Sequence, residues 1–228
     1  MSVLLTPEHS TLEDVRNKDY IAIEGPIGVG KTSLALLLAE RVHGKAILED
    51  IEGNPFLANF YKDPERFAFQ TQFFFLLRRF QKQEEISQMD LFKRVVIADF
   101  LLDKDRIFAR SNLDDREFSL YEQMFHLLKG KTVKPDLVIF LQARTQVLRE
   151  RIKRRNREYE RLISGRYLEH INHAFNEFFF HYVETPLLVI NASEIDFVNV
   201  PSDLDNLILE IDKMEKGTKY YVPLRSRQ

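Results

Sequence analysis

Tyr20-Ile21-Ala22-Ile23-Glu24-Gly25-Pro26-Ile27-Gly28-Val29-Gly30-Lys31-Thr32 is an apolar run followed at once by the pattern G-x-x-x-x-G-K-[ST], matched without a mismatch. The run reads as a buried strand, and Ser33 to Val42 reads as a helix. That strand–loop–helix setting gives the motif its meaning. Gly25, Gly28 and Gly30 let backbone N–H groups turn inward around phosphate oxygens. The helix N-terminus adds partial positive charge. Lys31 can reach β- and γ-phosphates, and the Thr32 hydroxyl can ligate Mg²⁺. Ser33, next along, is counted with these as nucleotide-binding.

The same short, buried look recurs downstream. Ala46–Leu48, Arg94–Ala98, Asp136–Leu141 and Leu187–Asn191 are apolar runs, most without period-two alternation. Strands buried on both faces of a parallel sheet read this way. Long helical patterns separate them, so we expect an α/β layered fold with a five-stranded parallel sheet and right-handed crossovers. Ligands in such sheets sit at the carboxyl ends of strands. The phosphate loop, Glu49 and Asp99 follow the first, second and third strands.

The chain has 228 residues and no internal repeat, which predicts one domain with a sizeable core. Hydrophobic content is 44% and net charge -2, so nothing draws the whole surface toward nucleic acid or an anionic membrane. Cysteine is absent, which excludes disulfide and thiolate chemistry. The stretch 1–19 lacks the apolar centre of a signal peptide, and no run approaches the roughly 20 apolar residues of a membrane span. A cytoplasmic enzyme is the expectation.

Three further patterns stay open at this level. After Pro64, Phe69, Phe73, Leu76 and Phe80 make one apolar helix face, while Gln72 and Arg79, seven apart, share another. That second face either reaches into a pocket or is solvated. Arg144, Arg149, Arg151, Lys153, Arg154, Arg155, Arg157 and Arg161 form a basic run. It suits a lid that closes guanidinium forks over phosphates, a solvated helix, or, less readily, a nucleic-acid patch. His170 and His173 with Glu169 and Glu177 can be drawn as a metal face, although surface histidines are commoner.

Together these residues resemble the deoxynucleoside kinase family from about Tyr20 to about Asn191. Glu49-Asp50-Ile51-Glu52-Gly53-Asn54-Pro55 looks like the family segment in which a glutamate acts as base. Tyr61 sits where the family holds the sugar 3′-hydroxyl, with Glu160 as its partner. Gln72 and Arg79 match the base-reading glutamine and its helix-mate arginine, and Ile107-Phe108-Ala109 matches another signature. Arg151, Arg155 and Arg157 match the lid arginines. The resemblance implies a three-layer phosphate-loop kinase fold over 20–215, a lid near 151–165, an N-terminal extension 1–19 and a C-terminal tail 216–228. It implies ATP and Mg²⁺, a deoxynucleoside substrate and a homodimer, with no nucleic-acid or membrane partner.

One departure stands out. Many members carry an acidic residue then arginine after the third strand, where this chain has Ala98 and Asp99. That pair looks like a bacterial deoxyguanosine/deoxyadenosine kinase branch and implies a purine substrate. Asp99 then takes a metal role beside Thr32, and Lys104 lies near the nucleoside as replacement positive charge. Glu49, Lys31, Arg151 and Arg155 are the expected catalytic set, and Phe69, Phe73 and Phe100 are candidate walls for the base. The rival readings are a thymidylate-like nucleoside-monophosphate kinase and an inactive nucleotide-binding subunit of the same fold.

Overall fold

Tyr20–Glu24 forms strand β1, buried along its whole length. The computed structural model of the protein describes residues 18–89 and 94–223. β1 pairs in parallel with β3 (Val96–Ala98) on one side and β4 (Leu137–Gln142) on the other. β2 (Lys45–Ile47) extends the sheet beyond β3, and β5 (Leu187–Asn191) extends it beyond β4. A sixth strand, β6 (Thr218–Tyr221), pairs in parallel with β5, giving the order β2-β3-β1-β4-β5-β6. The expectation of five strands is thus corrected to six. The added strand lies in the segment set apart as a tail, on the sheet edge, where its residues are half-buried or exposed.

Alternate β1 residues face opposite layers, as a pleated strand requires. Ile21 and Ile23 pack with residues of α1 (Lys31–Arg41), α6 (Thr145–Arg155) and α8 (Pro201–Asp212). Tyr20 and Ala22 face α4 (Lys104–Asn112) and α7 (Gly165–Phe180). A third apolar cluster joins α2 (Leu57–Lys62), α3 (Pro64–Met89) and α5 (Asp115–Lys129) outside the second layer. Asp114 caps α5, accepting from the N–H groups of Arg116 and Glu117. No helix among the described residues is long and apolar enough to cross a membrane.

Candidate active site

The phosphate loop takes the conformation its glycines permit. Gly25 has φ +152°, and a Cβ there would stand 2.5 Å from the Leu141 carbonyl oxygen. Only glycine fits that approach of loop to β4. Gly30, at φ +109°, precedes α1, so the first free N–H groups of the helix face the loop's hollow. Lys31 Nζ donates to the carbonyls of Gly25 at 2.7 Å and Pro26 at 3.2 Å, folded over the loop. Burial and the nearby Lys104 ammonium pull its amine down to about 8.

Beside the loop, Thr32 Oγ1 donates to Asp99 Oδ2 at 2.5 Å. The other carboxylate oxygen of Asp99 accepts from the Glu49 backbone N–H at 2.7 Å. Asp99 therefore ties the end of β3 to both the loop and the segment after β2. Glu49 projects inward, with its Oε1 on Arg79 and its Oε2 2.9 Å from Lys104 Nζ. Burial alone would raise its carboxyl. The Arg79 and Lys104 cations outweigh burial and hold it down to about 2.

One cavity runs from Gly28, Gly30, Lys31, Thr32 and Ser33, past Glu49 and Asp99, to Tyr61, Gln72 and Arg79. Arg155, Tyr159 and Glu160 close another side. The Gln72 and Arg79 face of α3 is thus the buried one, at 3% and 4% exposure, and the solvated alternative is ruled out. Gln72 Oε1 and Arg79 Nε have no hydrogen-bond partner. A buried polar atom left unpaired costs about 1–3 kcal/mol, and both residues line the cavity. The apolar face is split: Leu76 is in the core, while Phe69 and Phe73 stack on each other at 5.8 Å and stay half-buried, as does Phe80. Phe100 lies in the core, and the phenylalanines that line the cavity are Phe60, Phe75 and Phe108.

The basic run is divided among different tasks. Arg151 donates to the carbonyls of Val29 and Ala192, both at 2.8 Å, bracing the phosphate loop from outside the cavity. Arg155 forks onto Glu160, with Nε at 3.0 Å from Oε2. Arg157 lies 3.4 Å from Glu52 and bonds the Tyr159 hydroxyl at 3.0 Å, away from the cavity lining. Tyr159 stacks near-parallel on Tyr61. Burial, Tyr167 and Glu160 push the Tyr61 hydroxyl well above its usual range, so it stays a neutral donor. Lys104 lines the cavity, but its ammonium faces two carboxylates, Glu49 and Glu24.

Two fully buried acids escaped the sequence reading. Glu24 closes β1 and Asp105 pairs with Arg79. An acid ending an apolar strand was a legible signal for the first; nothing local marks the second. His173 and Glu177 stand 3.8 Å apart on an exposed helix face. Among the described residues no three metal-binding side chains of the His, Cys, Asp or Glu type group together.

The profile of the deoxynucleoside kinase family matches residues 21–215, most of the chain. The chain belongs to the deoxynucleoside kinase family. It is 34% identical to a deoxyguanosine kinase of Bacillus subtilis over 200 residues, covering 86% of this chain and 97% of that protein. It is 36% identical to a deoxyadenosine kinase of Dictyostelium discoideum, covering 83% of this chain and 77% of the relative. The solved structure of a deoxyadenosine kinase from M. mycoides with bound dCTP superposes at a TM-score of 0.73, with 26% identity, 85% coverage of this chain and 98% of that one. As a deoxynucleoside kinase the chain transfers a phosphoryl group from a nucleoside triphosphate to a deoxynucleoside.

Proposed function

We propose that this deoxynucleoside kinase phosphorylates the 5′-hydroxyl of a purine deoxynucleoside, using ATP and Mg²⁺. The observation that carries the reading is the single cavity joining the phosphate loop, Glu49 and the unpaired Gln72 carbonyl oxygen. A nucleoside with its base at Gln72 places its sugar between Tyr61 and Glu160 and its 5′-end toward Glu49 and the loop. Glu49 orients the hydroxyl and accepts its proton. Because its carboxylate is weakly basic in this setting, the proton moves late, once the oxygen is bonding to phosphorus. Lys31 and Arg155 neutralise charge on the transferring group, and Arg151 keeps the loop in shape for it. Arg157, on Glu52 and Tyr159, holds the lid segment against the loop after β2.

The Thr32 hydroxyl and Asp99 carboxylate meet as two hard oxygen donors at the loop, which suits a small divalent cation. These two would hold Mg²⁺, directly or through water. When bound, the ion neutralises phosphate charge.

The purine choice rests on the Ala98-Asp99 pair, which resembles a purine-using branch, together with the Gln72 amide. The Gln72 amide pairs bidentately with an adenine N6/N7 edge, whereas the Arg79 guanidinium is taken up by Glu49 and Asp105. The relatives named above act on deoxyguanosine and deoxyadenosine, in keeping with this. With ATP and Mg²⁺, kcat/KM for the better purine deoxynucleoside is expected to exceed that for thymidine and deoxycytidine by at least about tenfold. A pyrimidine preference would overturn the base assignment.

We also propose a homodimer paired through the outer helices. Leu77 of α3 and Leu120 and Leu127 of α5 are exposed, and Phe69, Phe73 and Phe80 are only half-covered. Apolar stripes of this kind are what a second copy buries. Sedimentation is expected to give twice the chain mass, and Leu120→Glu with Leu127→Glu to halve it. A single-chain mass for the unaltered protein at micromolar concentration would rule the pairing out.

A further inference from the structure

Lys104 begins α4 with its side chain turned inward and 2% exposed. Its Nζ lies 2.9 Å from Glu49 Oε2 and 3.6 Å from Glu24 Oε1. Glu24 is fully buried. Its Oε2 accepts from the Gly25 N–H at 3.0 Å, and its Oε1 accepts from the Leu101 N–H at 2.5 Å. Both oxygens accept hydrogen bonds, and the Lys104 ammonium opposes the burial that pushes the Glu24 carboxyl above its usual range. One side chain therefore holds the first peptide of the phosphate loop, the turn before α4, and the lysine that reaches Glu49.

Glu49 is gripped by two cations on two elements. Arg79 of α3 takes Oε1, and Lys104 of α4 takes Oε2. A carboxylate held at one oxygen still swings about its side-chain torsions. Held at both, from separate helices, it has one orientation. A buried ammonium is costly to desolvate, and attraction to acid partners offsets that cost only in good geometry. Here the ammonium lies closer to the cavity-lining acid than to the structural one, which places its interaction at the reacting end of the site.

We propose that Lys104, anchored on Glu24, is a positioning residue that aims Glu49 at the acceptor hydroxyl and keeps it in register with the phosphate loop. This rests on Glu49 being the base. Lys104 itself touches no reacting atom and exchanges no proton in this role.

The test is a double-variant cycle in the full chain: Lys104→Met, Glu49→Gln and both together. Single-turnover phosphoryl transfer is measured at saturating ATP, Mg²⁺ and deoxynucleoside, with ATP affinity and thermal midpoint recorded for each protein. Misplacing a reacting group by about 1 Å costs about 10²-fold in rate. Lys104→Met is expected to lose about that much in turnover, with ATP affinity within about threefold. In the Glu49→Gln background the same change is expected to cost less than about threefold, since there is no longer a base to aim. If Lys104→Met does not fold, Lys104→Gln enters the same cycle. A folded Lys104 variant with unaltered turnover overturns the proposal, and so does a loss that is fully additive with Glu49→Gln while Glu49→Gln is itself crippled. Full turnover in Glu49→Gln overturns the base assignment and the positioning role with it.

Discussion

Lys31→Ala is expected to lower turnover by at least about 10³-fold while leaving the fold in place. The two halves of that expectation come from different observations. Lys31 starts α1, where alanine is an excellent helix residue. Its ammonium makes two hydrogen bonds, both to carbonyls of its own loop, and fills no space in the core. Each such bond is worth about 1 kcal/mol net, so the stability change is small. The functional loss is large because the ammonium is the loop's own charge for the phosphates. With its amine near 8, Lys31 is still mostly protonated at pH 7. Turnover and the thermal midpoint, measured on the same preparation, check this. A folded Lys31→Ala protein working at near-normal rate would end the kinase reading of the site.

Glu49→Gln is expected to reduce kcat by about 10²–10⁴-fold, with a smaller effect on substrate binding. An amide cannot take the hydroxyl's proton. Unlike Lys31→Ala, this change should also destabilise the protein. Arg79 and Lys104 each lose an anionic partner in a buried setting, and breaking a buried pair from one side typically costs about 3–5 kcal/mol. Asp105 and Glu24 remain beside them and reduce that penalty. Rates must therefore be expressed per folded molecule. Glu52→Gln is the comparison: Glu52 is exposed and pairs with Arg157 at the lid, so its loss is expected to leave turnover within about threefold. A crippled Glu52→Gln beside an active Glu49→Gln would move the base along the segment by three residues.

How far the site was legible depended on how local its determinants are. The phosphate loop is a contiguous stretch, and its glycines, lysine and threonine carry their conformation and chemistry with them. β1 and β5 fall where their apolar runs end. β2, β3 and β4 differ from expectation by one or two residues, because ladder pairing, not composition, decides where a strand stops. β6 was missed because Thr218–Tyr221 has no strong apolar signal. It is a strand because β5 offers it an edge.

The sequence alone determined the class of chemistry: a phosphate loop between strand and helix, and acids at the ends of the next two strands. Only tertiary structure decided which face of α3 is inside. Periodicity shows which residues share a face but not what that face meets, and here the polar Gln72 and Arg79 outrank the phenylalanines because they line a cavity. The basic run reads as uniform in sequence, yet packing sends Arg151 to the Val29 carbonyl, Arg155 to Glu160 and Arg157 to Glu52. Glu24, Arg79 and Lys104 come from three separate elements, and Glu49 from the segment after β2. No local rule links them. Burial forces these charges to find one another, and that encounter exists only once the sheet and its helices have closed around them.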